Sequence, residues 1–161
     1  MNSDDEIPAT EAVRNEAVLT SRLEVADEVL RSAPVELTFS LENQGDRPVH
    51  VLRWYTPLEG LFGDFLSVEH EGTPVPYQGP LASRFDPTLE EYLSLTPGEV
   101  ASGTVNLALA YDLSRPGEYT VRFGGRLWDV VVDSAALPRP LDDHEPLEID
   151  SAPRRFRVVD R

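Results

Sequence analysis

The stretch VELTFSLEN, Val35 to Asn43, constrains this chain more than any other. Val35, Leu37, Phe39 and Leu41 alternate with Glu36, Thr38, Ser40 and Glu42. A period of two puts the first set on one face of a β-strand and the second on the other, so one face is apolar and the other is wet. A helix cannot use that pattern, because it brings every third or fourth residue to one side. The pattern recurs. Leu66 and Val68 alternate with Ser67 and Glu69, and Val105, Leu107 and Leu109 with Thr104, Asn106 and Ala108. Tyr119, Val121 and Phe123 alternate with Thr120 and Arg122. Val18 to Val25, Val49 to Trp54, Tyr92 to Leu95 and Arg155 to Val158 are further extended candidates.

Turn signals separate these segments. Asn43-Gln44-Gly45-Asp46, Glu71-Gly72-Thr73, Thr96-Pro97-Gly98-Glu99 and Leu113 to Gly117 combine Pro, Gly, Asn or Asp. The first predicts that 35–43 and 49–54 form a hairpin or lie side by side. Gly124-Gly125 predicts the end of the strand at 119–123, with Trp128 to Val132 resuming it after a bulge. Pro74 and Pro76 remove ladder donors and assign their segment to an edge. The run QGPLASRFDPTLEE, Gln78 to Glu91, has no clear period and is long for a loop in a compact domain, a length often tied to function. The pattern as a whole predicts an all-β chain, an immunoglobulin-like Greek-key β-sandwich of about eight strands. The chain has 161 residues, enough for one domain. Residues 1–16, polar and acidic, are expected to form a mobile tail, and 17–161 the sandwich.

Most enzyme chemistry lacks its residues. There is no cysteine, which removes disulfides and thiolate zinc sites. The three histidines are His50, His70 and His144. His70-Glu71 and His144-Glu145 begin like a zinc-protease helix, but Pro74 and Glu148 stand where the second His is needed, and Pro74 and Pro146 oppose the helix itself. The cluster Asp142-Asp143-His144-Glu145 lacks the glycine and the ligand spacing of an EF-hand. There is no G-x-S-x-G elbow and no phosphate-binding glycine loop. A non-enzyme with no metal and no cofactor is expected.

The formal net charge is −15, which repels nucleic acid and anionic membranes. No apolar run approaches the ~20 residues of a membrane helix. Proteins with basic patches, or cations, are the expected partners; acidity also serves solubility alone. The start MNSDDEIPAT has no basic and apolar leader pattern, so a cytoplasmic location is expected, or a secreted one if a signal has been removed. All 14 basic residues are arginine. GC-rich codon usage explains that, and so does avoidance of lysine for a functional reason.

Trp54 and Tyr55 are neighbours on a strand and must face opposite ways. With Trp54 inward, Tyr55 faces out beside Leu58, Leu61 and Phe62. Such a group is either a contact surface or a satellite cluster under the long loop. Tyr55, Leu58, Phe62 and, from the loop, Phe85 are the candidate binding residues.

The run VLRWYTPLEGLFGDFLSVEHEGTPVPYQGPL, Val51 to Leu81, followed by Pro87 to Tyr92, LTPGE at Leu95–Glu99 and YDLSRPGEY at Tyr111–Tyr119, resembles a known domain. It is similar to the β-sandwich that precedes the catalytic domain in bacterial deuterolysin-like zinc metalloendopeptidases, including the peptidyl-lysine type. The resemblance covers about Val35 to Phe123. The 161 residues contain no H-E-x-x-H, so it implies the sandwich and not the activity. A looser similarity, N-x-G-D-x-P-V with L-x-P-G-E and P-G-x-Y-T-V, links the chain to intracellular proteinase inhibitors with an immunoglobulin-like fold. These resemblances imply a non-catalytic protein-binding β-sandwich, a stand-alone relative of a metallopeptidase N-terminal domain, acting as an inhibitor or propeptide-like module with a metalloendopeptidase as partner. A module that docks on a lysine-cleaving peptidase gains by carrying no lysine. The alternative is a structural or adaptor domain that joins proteins by strand addition at an edge. The sequence does not set the oligomeric state.

Overall fold

Alternation becomes pairing in the computed structural model, which describes residues 10–14, 17–132 and 137–160. The strands are β1 (Thr10–Arg14), β2 (Ala17–Val25), β3 (Glu28–Leu30), β4 (Glu36–Asn43), β5 (Val49–Leu52), β6 (Leu66–His70) and β7 (Thr73–Pro74). They continue with β8 (Tyr92–Leu95), β9 (Val100–Asn106), β10 (Gly117–Leu127), β11 (Val130–Val131), β12 (Leu147–Asp150) and β13 (Arg154–Val159). Among the described residues there is no α-helix, only short 3-10 turns at Leu89–Glu91, Leu107–Leu109 and Leu141–Asp143. Among these residues no helix is long and apolar enough to cross a membrane. The chain is an all-β sandwich of immunoglobulin-like class.

One sheet runs β1-β2-β4-β9. A second runs β3-β13-β10-β6-β7, with β12 pairing the far half of β10. The two face each other across one core. Leu37, Phe39 and Leu41 of β4 meet Val121 and Phe123 of β10, all at most 1% exposed. The Phe39 and Phe123 rings lie 5.1 Å apart, and Tyr119 stacks on Phe156 at 5.2 Å. Each such side chain contributes about 1.5–3 kcal/mol on burial. The sheets are also joined by a buried hydroxyl pair, Ser21 Oγ to Ser151 Oγ at 2.7 Å, and within the second sheet β3 pairs parallel with β13.

A third, small sheet, β11-β5-β8, forms an extra layer. Val49 and Val51 of β5 enter the main core, while Leu52 joins Trp54, Tyr92 and Val131 in a second cluster. This strand is buried on both faces, which is why VHVL does not alternate in polarity.

Several expectations are corrected. The described chain has thirteen strands rather than about eight, because short edge strands carry weak periodicity. Thr10–Arg14, assigned above to the mobile tail, pairs with β2 as an edge strand; residues 1–9 and 15–16 lie outside the described residues. β4 and β5 form no hairpin, since β5 pairs with β8 and β11. Asn43 explains the switch between layers. Its buried amide donates to Arg47 O (2.8 Å) and Leu95 O (2.9 Å) and accepts from Gly45 N. β10 does not end at Gly124-Gly125; it continues to Leu127 and exchanges β13 for β12 at that point. The alternation from Val105 to Leu109 breaks at Asn106, whose side chain accepts from Ala108 N and starts the 3-10 turn. Trp54 is buried as expected, but in the second cluster and not the main core.

Candidate functional site

The segment after β5 is wired to itself. Tyr55 has a left-handed φ of 57°, which reverses the chain. Its N–H donates to Glu59 Oε2 at 2.9 Å. Thr56 Oγ1 donates to Arg53 O and accepts from Leu58 N, and Glu59 N closes the turn on Thr56 O. Trp54 donates from its indole to Glu91 Oε2 at 3.0 Å. That bond, opposed by burial and aided by Thr88, holds the Glu91 carboxyl below its ordinary range.

The long loop folds back on this turn. Arg84 lies over the rings of both Trp54 (4.9 Å) and Tyr55 (4.7 Å) and ion-pairs with Glu59. Each of these contacts is favourable, and burial strengthens it. Ala82 N donates to Phe62 O, and the Tyr77 hydroxyl is within reach of Leu61 O and Pro80 O.

The result is an open groove of about 440 Å³ between turn, loop and the end of β10. Tyr55, Phe62, Leu81 and Trp128 wall it, Phe65 and Phe123 form its floor, and Asp64 and Arg126 bring one charge of each sign to its lining. Tyr55 and Trp128 pack ring on ring at 4.7 Å, and Arg126 lies 5.2 Å over Trp128. Gly63 is required here, because a Cβ would fall 2.6 Å from the Tyr55 ring. Leu81 is 73% exposed and Phe62 45%.

Of the four residues singled out from the sequence, the structure brings Tyr55 and Phe62 together in this groove. Leu58 is partly buried against the main core, and Phe85 is exposed outside the groove. Sequence reasoning missed Phe65, three residues beyond Phe62, and also Leu81, Arg126 and Trp128, which come from distant segments.

A second polar cluster secures the strap at 137–146. Asp129, fully buried, receives Arg139 on both carboxylate oxygens, Tyr92 OH at 2.7 Å and Glu145 N at 2.9 Å. Burial raises its pKa, but these donors outweigh burial and hold the carboxyl below its ordinary range. Burial, with the Asp129 bond, pushes the Tyr92 phenol well up. Every atom here is committed to holding the strap. The histidines serve structure too: His50 Nδ1 meets Ser94 Oγ, His70 Nε2 meets Pro116 O and His144 Nε2 meets Arg139 O. No group of three or more metal-ligating side chains occurs among the described residues.

No protein-family model matches the chain. It is 32% identical over 89 residues to an extracellular protease of Aeromonas hydrophila, covering 55% of this chain and 25% of that protein. It is 27% identical over 113 residues to neutral protease 2 homolog MEP8 of Coccidioides posadasii, covering 68% and 32%. The chain therefore spans between a quarter and a third of the length of these relatives. Among solved structures, a CARDB domain from Pyrococcus furiosus in complex with di-metal ions aligns over 92% of this chain and 99% of that one, with 14% identity and a TM-score of 0.41. A β-glucosidase from Listeria innocua aligns over 87% and 16%, with 12% identity and a TM-score of 0.36.

Proposed function

We propose that the chain is a non-catalytic β-sandwich that docks on a protease, in the manner of the domain preceding the catalytic domain of deuterolysin-like metalloendopeptidases. The observation that carries this reading is the groove of Tyr55, Phe62, Phe65, Leu81 and Trp128. It is open, aromatic and braced from behind by Arg84, so its walls need little ordering on binding. Aromatic anchors and pockets of this kind dominate protein interfaces. The similarity to parts of two proteases supports a protease as partner. Arg126 over Trp128 favours a segment with an apolar side chain followed by a carboxylate.

Calorimetric titration of the chain into a deuterolysin-like metalloendopeptidase tests the reading. A Kd near or below about 10 µM is expected, weakened at least tenfold by Leu81→Asp with Phe62→Ser. Peptidase assays at saturation then distinguish an inhibitor from a passive docking module. No heat and no inhibition at about 100 µM would rule out the protease reading.

A further inference from the structure

The free edge of the first sheet is β9, and its chemistry is unusual for an edge. Natural edges carry charge, proline or a bulge that blocks further pairing. VASGTVN, Val100 to Asn106, has no charge and no proline. Its ladder phase is fixed at both ends: Asn43 N donates to Glu99 O, and Leu107 N to Val35 O. Ala101, Gly103 and Val105 therefore turn their N–H and C=O toward β4, while Val100, Ser102 and Thr104 turn theirs outward. Among the described residues no hydrogen bond uses those outward groups.

We propose that β9 pairs antiparallel with β9 of a second copy of this chain, about a two-fold axis at Gly103. The sequence is self-complementary in that register. Ser102 meets Thr104 of the second copy, and Val100 meets Asn106, so every outward group finds a partner. On the outer face, the hydroxyl ladder Thr38–Thr104 (2.9 Å) and Ser40–Ser102 (3.0 Å) continues across the axis. On the inner face, Gly103 has no side chain to keep the copies apart. It cannot carry one, since a Cβ would fall 2.5 Å from Pro57 O and 2.9 Å from Leu58 Cα. The Pro57–Leu58 backbone thus covers Gly103 on the inner face, beside the axis. The net charge of −15 opposes association, but Glu99, the acid next to the edge, is turned back onto Thr96 N and Oγ1, and Glu36 and Glu42 on β4 are held about 14 Å from their counterparts in the second copy. That exceeds the screening length in physiological salt.

Sedimentation equilibrium between about 1 µM and 1 mM should show the mass moving from 17.9 kDa toward twice that value, more readily as salt is raised. Amide exchange read by NMR locates the contact. Ser102 and Thr104 amides should slow with concentration, while Gly103, bonded to β4, is protected throughout. Ser102→Lys with Thr104→Lys sets like charges opposite each other across the axis and should give a monomer with an unchanged melting temperature. A wild-type protein monomeric up to 1 mM, or a dimer whose Ser102 and Thr104 amides exchange freely, overturns the proposal. So does a lysine variant that still dimerises. None of these outcomes bears on protease docking, which uses the groove.

Discussion

Asp129 and Arg139 form a two-pronged ion pair in which the carboxylate is fully buried and the guanidinium nearly so. It ties the strap at 137–146 to the third sheet, and the carboxylate has no water to fall back on. Replacing Asp129 by Asn leaves Arg139 with only the exposed Glu145 as its anion, so a loss of about 3 kcal/mol is expected. A thermal melt reads this as a drop on the order of 10 °C, and an unchanged midpoint would contradict the account.

The same carboxyl sets a pH dependence. Its folded pKa is depressed, so its stabilisation is present above the unfolded value of about 3.9 and is lost as pH falls through the folded value. The gap in melting temperature between the native protein and Asp129→Asn should be constant above about pH 5 and shrink below about pH 4. A gap that widens on acidification would show that Asp129 is not the anion of this pair.

Arg84 latches the long loop to the Tyr55 turn through two rings and Glu59. Arg84→Ala should cost about 1–3 kcal/mol and open the 78–91 segment to limited proteolysis. Lys at this position should rescue little, because an ammonium cannot lie flat between two rings. Equal protease resistance in all three proteins would show that the loop is held by something else.

Gly63→Ala probes the groove wall. The added methyl must displace the Tyr55 ring and loosen its packing on Trp128. Near-ultraviolet circular dichroism should weaken while the far-ultraviolet spectrum is retained. An unaltered aromatic signal would mean that the ring yields without leaving Trp128.

Asn43→Ala removes the bonds that send the chain from the first sheet to the third and leaves Leu95 O buried without this donor. A cost of about 2–3 kcal/mol is expected, seen as a lower urea midpoint at constant slope.

The sequence made the strands legible where one face is wet. Leu37, Phe39 and Leu41 declare themselves against Thr38, Ser40 and Glu42. It could not say which strands share a sheet, because that depends on single residues such as Asn43, whose amide reads as an ordinary turn signal until its partners are seen. β5 is buried on both faces and loses its period. Asp129 looked like one acid among many, since only the fold shows that it is sealed from water. Half of the groove was legible, because Tyr55 and Phe62 stand close in sequence. Leu81 and Trp128 reach it from other segments, and no spacing rule connects them. Leu58 was read as outward-facing because its approach to Gly103 on β9 is a long-range contact.

The pairing of β3 with β13, and of Ser21 with Ser151, has a consequence for how the protein is made. The second sheet cannot close until Arg154–Val159 has left the ribosome, and by then the first sheet has long been available. During synthesis the nascent chain therefore exposes the inner faces of β4 and β10 to its surroundings. The sandwich closes only once its last strand is made, so the yield in a cell should depend on chaperone supply as well as on the stability of the finished molecule.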